Sequence, residues 1–294
     1  MTRRNFLRYT AGTAAALAVG GSVAPAQAAK RSATDWVPLG KSGVKVTRLA
    51  FGTGTFGGRV QRELGQEQFT RLVRHAYDRG IRFFESADNY AEMHEMLAAA
   101  LKGIQRDSYK LMTKFRLRET DEPSVAIDRL RRELNSEYFD ILLLHCVRTL
   151  DWSQQYQRFR DAFSEAKRKK VILAHGASCH GLMPLRSFPG NDWLDVSLNR
   201  INHSGARMDS LAGREDDTGD VPEVVSHVKK IHAQGSGVIG MKLIGEGQFR
   251  SPEERDASLK FVMKLGAVDA VTIGYKSTTE IDEAIERINT HLNS

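Results

Sequence analysis

Four side chains in this sequence could together move a proton to or from a carbonyl oxygen. The apolar run Ile81–Phe84 ends in Glu85, and Tyr90 follows within Glu85-Ser86-Ala87-Asp88-Asn89-Tyr90. Lys114 lies between Thr113 and Phe115 at the end of the run Tyr109–Phe115, and His145 ends the run Phe139–His145. A carboxylate, a phenol, an amine and an imidazole are a set suited to general acid–base catalysis. Each has a plainer reading when taken alone. A lysine at a strand end can snorkel towards water, and a lone histidine can be a satisfied core residue. What marks them is a shared position: each follows one of three consecutive apolar runs.

The elements that must hold these residues repeat a rhythm of short apolar run, polar punctuation and amphipathic segment. The runs are Val44–Phe51, Ile81–Phe84, Tyr109–Phe115, Phe139–His145, Val171–Gly176, Trp193–Ile201, Val238–Leu243 and Val268–Ile273. Helical patterns separate them at Gln66–Arg79, Met93–Leu101, Ser124–Leu134, Gln154–Arg168, Val221–Ala233, Pro252–Leu265 and Thr279–Leu292, with an irregular fifth connection near Leu182–Phe188. Ser124 and Thr279 are expected as N-caps, and Ser251-Pro252-Glu253-Glu254 reads as a capped helix start. Eight strands alternating with helices predict an α/β fold, a (β/α)8 TIM barrel. A doubly wound sheet fits the rhythm, but no G-x-G-x-x-G follows the first run. The segment Val37–Val46 predicts an N-terminal β-hairpin with a Gly-Lys-Ser-Gly turn, placed to cap the barrel bottom.

In such a barrel the working face is at the C-terminal ends of the strands. The first polar or flexible residues there are the candidates. They are Gly52 and Thr53 after the first run, then Glu85, Tyr90, Lys114 and His145. Ser178, Cys179 and His180 follow the fifth run, Asn199 and Asn202 the sixth, Lys242 the seventh, and Tyr275, Lys276 and Ser277 the eighth.

Read together, these segments resemble the aldo-keto reductase superfamily from about Val37 to Ile288. Leu39-Gly40-Lys41-Ser42-Gly43 and Leu49-Ala50-Phe51-Gly52-Thr53-Gly54 are similar to the family's opening, and Phe83–Tyr90 to its F-D-T-A-x-x-Y segment. Thr113-Lys114, Phe139-Asp140-Ile141-Leu142-Leu143-Leu144-His145, Gly176-Ala177-Ser178 and Ile273-Gly274-Tyr275-Lys276-Ser277 match further elements in order. The resemblance implies a tetrad of Tyr90, Lys114, His145 and Glu85. Tyr90 would be the general acid, its phenol helped by Lys114. His145 would polarise the carbonyl, and Glu85 would hold Lys114. It also implies NADP as cofactor. Lys276 and Ser277 would meet the adenosine 2′-phosphate and Glu283 the adenine. Gly52, Thr53, Ser178, Cys179 and Lys242 complete the expected cofactor-binding set. The chain departs from the family at Glu85, where the family has Asp, and at Cys179, where it has Asn holding the nicotinamide carboxamide. The family's C-terminal substrate loop is expected to be short or absent.

Bulk properties narrow the function. Hydrophobic content of 41% and charged content of 27% fit a soluble globular protein, and the net charge is +7. Arg3, Arg4 and Arg8 fall in a segment read as an export signal, so the 43 basic residues become 40 against 36 acidic ones. That excess suits an anionic cofactor and is too diffuse for nucleic acid. Thr2-Arg3-Arg4-Asn5-Phe6-Leu7-Arg8, the apolar stretch Ala11–Val23 and Ala26-Gln27-Ala28 read in order as a twin-arginine signal, 1–28, ahead of a barrel domain, 29–294. The expectation is a chain exported folded by the twin-arginine machinery, periplasmic or extracellular, with no stable membrane span after cleavage. A carbonyl substrate and NADP are its expected partners. Two other readings stand beside this. One is an exported NADP-binding or sensing protein with little turnover. The other is a metal-dependent hydrolase using His175, His180 and His203, although no H-x-H or H-E-x-x-H pattern supports a metal site. The two cysteines, Cys146 and Cys179, give no disulfide framework.

Overall fold

Eight parallel strands close on themselves into a barrel, each paired with the next in chain order and the last with the first. The computed structural model describes residues 30–116, 118, 121–214 and 216–294; the segment read as an export signal lies outside them. In chain order the strands are β1 (Trp36–Pro38), β2 (Lys45–Thr47), β3 (Leu49–Gly52), β4 (Phe83–Glu85), β5 (Lys110–Arg116), β6 (Phe139–Val147), β7 (Ile172–Cys179), β8 (Val196–Arg200), β9 (Gly237–Met241) and β10 (Ala270–Gly274). The helices are α1 (Arg59–Arg62), α2 (Gly65–Asp78), α3 (Met93–Leu101), α4 (Pro123–Glu133), α5 (Trp152–Gln155), α6 (Gln157–Arg168), α7 (Leu182–Arg186), α8 (Val221–Gln234), α9 (Pro252–Lys264) and α10 (Thr278–Asn293). The expected (β/α)8 barrel and hairpin are both present. Among the described residues, no helix is long and apolar enough to cross a membrane.

The barrel strands read as apolar runs because both of their faces are covered. Alternate residues such as Ala50, Phe83, Met112, Ile141 and Leu143 fill the barrel. Their neighbours, among them Phe51, Phe84, Leu111 and Leu142, pack outward against the helices. The β1–β2 hairpin inserts Val37, Leu39, Val44 and Val46 into the inner cluster. Lys41 N–H donates to Gly235 O at 2.7 Å, just before β9 begins, so the hairpin closes the N-terminal end of the barrel. The opposite end stays open for chemistry.

Local differences from the sequence reading have physical reasons. The run Val44–Phe51 is two strands, broken where Arg48 N–H turns to Asp35 O at 2.9 Å. The pattern Gln154–Arg168 is two helices, α5 and α6, meeting at Tyr156. Helix α4 starts at Pro123 with Glu122 as N-cap, not at Ser124, because proline supplies a helical φ at N1. Ser277, not Thr279, caps α10, its hydroxyl accepting from Glu280 N–H. The expected capping box at Ser251 and Glu254 is formed in full.

Gly176 leaves no room for a side chain between β7 and β8. A Cβ there would sit 1.7 Å from Val196 O. Gly176→Ala therefore cannot keep the β7–β8 ladder. Chemical denaturation should show a loss of at least about 4 kcal/mol, or no folded protein.

Candidate active site

Strand ends deliver the four candidate catalytic groups to one place. Glu85 closes β4, and Lys114 lies on β5 next to it. Both are nearly sealed from water, at 4% and 1% exposure. Lys114 Nζ donates to Glu85 Oε1, and to Ser86 O at 2.7 Å. Thr272 Oγ1 donates to the second Glu85 oxygen at 3.2 Å. Gly52 must be small here, since a Cβ would lie 2.5 Å from Thr272 Oγ1 and 3.0 Å from Glu85 Oε2.

Tyr90 stands on the loop after β4. Lys114 Nζ is 4.9 Å from its ring centre, a cation–π distance. The His145 ring meets the Tyr90 ring edge-on, with centres 5.5 Å apart. The phenol lies over Gly54, whose bare Cα makes room: a Cβ there would be 2.6 Å from the Tyr90 hydroxyl. Burial, together with the nearby cations Lys114, Arg116, Lys242 and Arg148, pushes the His145 imidazolium well below its usual range. His145 is therefore neutral at neutral pH. Its Nδ1 is buried and has no hydrogen-bond partner among the described residues.

A cleft of about 640 Å³ opens beside these groups. Gly52, Glu85, Tyr90, Lys242, Lys276 and Glu283 line it. The expected catalytic end and the expected 2′-phosphate end thus share one cavity. Arg250, Arg255 and Arg287 add positive charge near Lys276. Arg255 and Arg287 both donate to Glu283, at 2.8 Å each. At the cleft rim Glu246 ties three loops. It accepts from Phe56 N–H at 3.1 Å and Lys242 Nζ at 2.6 Å, and pairs with Arg207 at 3.3 Å. Burial opposes the Glu246 charge, but Lys242, Phe56 N–H and Arg207 outweigh it and hold the carboxyl below its usual range.

Other candidates sit elsewhere. Thr53 is buried, its hydroxyl donating to Ser86 at 3.0 Å. Ser178 is fully buried and accepts from Cys146 N–H at 3.0 Å. Cys179 is buried against Asp209 Oδ2 at 3.5 Å and Asn199 Oδ1 at 3.7 Å, away from the cleft lining. Ser277 stands beside Lys276 with its hydroxyl engaged as the cap of α10. Asn202 organises the loop after β8, donating to Ala206 O and Lys242 O. The histidines of the hydrolase reading are dispersed: His175 stacks on Trp193 at 4.4 Å, and His203 packs against Phe249. His180 instead joins His145 and Cys146, with ligand-type atoms all within 4.8 Å of one another.

Sequence reasoning missed a second set of residues, which positions the first. Asp88 accepts from Arg116 N–H at 2.8 Å and from Arg129 at 3.1 Å. Arg129 also binds Glu133 at 2.7 Å, and Glu133 meets His94 Nδ1 at 2.8 Å. His94 Nε2 closes the chain on Thr113 Oγ1 at 2.8 Å. The loop bearing Tyr90 is thereby fixed to β5, α3 and α4. No local motif announces this network.

A proton-transfer group thus stands at the C-terminal end of the barrel, beside a cleft lined by both basic and acidic side chains. The chain belongs to the aldo/keto reductase family, whose model matches residues 48–294. An aldo-keto reductase of Glycine max is 31% identical over 127 residues, which span 38% of this chain and 36% of the soybean protein. The fold is shared with an aldo-keto reductase structure from Pseudomonas aeruginosa, with a TM-score of 0.69 and 20% identity over 90% of this chain and 99% of that one. An aldo-keto reductase from Bacillus halodurans, in its holo form, gives 0.68 and 18% over 87% and 94%. The family generally uses a nicotinamide cofactor. The cleft fits such a group: Gly52 and Gly274 keep its wall bare, and the Tyr275 hydroxyl is buried at its edge with no hydrogen-bond partner among the described residues.

Neutral His145 and His180 also link stability to pH. Both are held well below 6.5 by burial and nearby cations. The stability tied to their neutral forms is fully present above pH 6.5 and is lost as pH falls through their folded values. Tm should therefore drop on acidification from about pH 7 to about pH 5. His145→Gln should flatten that slope in a thermal-shift series.

Proposed function

We propose that this protein is an NADP-dependent carbonyl reductase acting on an aldehyde, ketone or sugar. The observation that carries the reading is the single cleft that joins Tyr90 and Glu85 to Lys276. Residues along it would hold the cofactor, with Lys276 and the nearby arginines at the 2′-phosphate. Bound there, the reduced nicotinamide supplies a hydride. Tyr90 gives its proton to the carbonyl oxygen. Lys114, charged and held by Glu85, stabilises the phenolate left behind. Neutral His145 orients the carbonyl oxygen by hydrogen bonding, without competing for the proton. Glu85 contacts Lys114 directly.

Export as a folded protein by the twin-arginine route, with cleavage after Ala28, belongs to the same proposal. It would carry a cytoplasmic cofactor out inside the barrel. A second reading is favoured by one observation. Ser178 is engaged by Cys146 N–H, and Cys179 faces Asp209, so neither is ready to hold a carboxamide. That reading is a nucleotide-binding protein with little turnover.

Tyr90→Phe separates the two. A reductase should lose turnover by roughly 10²–10⁴-fold while NADPH binding is kept. Turnover absent from the wild type, with tight NADPH binding, would favour the second reading. Lys276→Ala should weaken NADPH about tenfold, about 1.4 kcal/mol, and leave NADH unchanged. Equal loss for both nucleotides would remove Lys276 from the 2′-phosphate site.

A further inference from the structure

We propose that Cys146 is an activated, nucleophilic thiol beside the active-site cleft and a site of covalent modification by small disulfides. Strand β6 slips register between Leu144 and Val147, and Cys146 adopts a left-handed φ of 58°. This bulge turns the sulfur to His180, with Sγ 3.2 Å from Nε2. Bulges of this kind re-aim side chains near active sites.

The hydrogen bonding fixes the proton. Arg200, 1% exposed, contacts His180 Nδ1. A guanidinium has donors only, so Nδ1 must accept. The proton of the neutral ring is then on Nε2, and Nε2–H donates to the sulfur. A sulfur that accepts such a bond is favoured as thiolate. Lys114, Lys242 and Arg148 act as positive charges on His145, and Lys242, Arg148 and Arg200 on His180. His145 completes the group within 4.8 Å, and its buried Nδ1 has no hydrogen-bond partner among the described residues.

Cys179 is the internal contrast. It is fully buried against the Asp209 carboxylate, and burial with that negative charge pushes its thiol well up. The same three residues, His145, Cys146 and His180, could ligate a soft metal ion. Two features oppose that. A metal-bound histidine donates its other ring N–H to an acceptor, whereas His180 receives a bond from a cation. The surrounding lysines and arginines also repel a cation.

In the step, the Cys146 thiolate attacks one sulfur of a low-molecular-weight disulfide. The new S–S bond forms as the old one breaks, and the second half leaves as a thiolate that takes a proton from water. His180 lines the cleft with Tyr90, so the attached group would stand beside the site and block it. That consequence rests on the proposed reductase activity; the reactivity does not.

The test alkylates the folded full chain with iodoacetamide at neutral pH and follows each cysteine by peptide mass spectrometry. Cys146 should react about tenfold faster than a cysteine in an unstructured peptide. Cys179 should stay unlabelled until the protein is denatured. His180→Ala should slow Cys146 about tenfold with Cys179 still protected, which also reports that the variant is folded. If Cys179 becomes labelled, the variant has unfolded, and the wild-type rate decides alone. Cys146 reacting no faster than the peptide would overturn the proposal. So would one equivalent of bound zinc that shields Cys146. Loss of NADPH-dependent carbonyl reduction on disulfide treatment reads the consequence separately. An untreated protein without that activity would count against the reductase reading and not against the labelling result.

Discussion

The buried pair of Lys114 and Glu85 is the constraint on which the site depends. Two charges removed from water cost several kcal/mol each, and only close geometry with further hydrogen bonds repays that. Both conditions hold. Ser86 O takes a second Lys114 proton, and Thr272 reaches the far Glu85 oxygen. Removing either charge alone would strand the other at a cost of about 3–5 kcal/mol. The pair joins β4 and β5 at their C-terminal ends, and it places a fixed positive charge under the Tyr90 ring. His145 stays neutral beside the pair, held so first by its burial and then by the charge of the same lysine.

Around this pair the fold supplies rigidity in layers. Inside the barrel, Ala50, Phe83 and Met112 fill the space below the site, and the hairpin seals the floor. Outside, the chain from Asp88 through Arg129, Glu133 and His94 to Thr113 fixes the Tyr90 loop to two helices and a strand. Catalytic groups need placement to within about 1 Å. A loop anchored at several points can hold that where a free loop cannot. On the far side of the cleft, Glu246 draws the loops after β3, β8 and β9 together.

Much of this was legible in the sequence, for identifiable reasons. The eight barrel strands stand out because parallel strands covered on both faces become apolar runs. Glu85, Lys114 and His145 stand out because each interrupts such a run at its end. The long-range network does not, since Asp88, His94, Arg129 and Glu133 are ordinary polar residues on ordinary amphipathic segments. The bulge at Cys146 was also invisible. It depends on β6 pairing with β7, and no residue type at 144–147 demands it. The sequence drew attention to Cys179 beside His180, yet the pleat turns Cys179 to Asp209 and the bulge brings Cys146 to His180 instead. The caps of α4 and α10 lie at Glu122 and Ser277, each two residues before the expected Ser124 and Thr279.

The most direct measurement of the central claim is a crystal structure of the protein with NADP bound. The nicotinamide should lie at the Tyr90 and Glu85 end, with its reactive carbon turned towards the Tyr90 hydroxyl. The 2′-phosphate should then lie at Lys276. A nucleotide bound in the reverse sense, with adenine at Tyr90, or outside the cleft altogether, would contradict it.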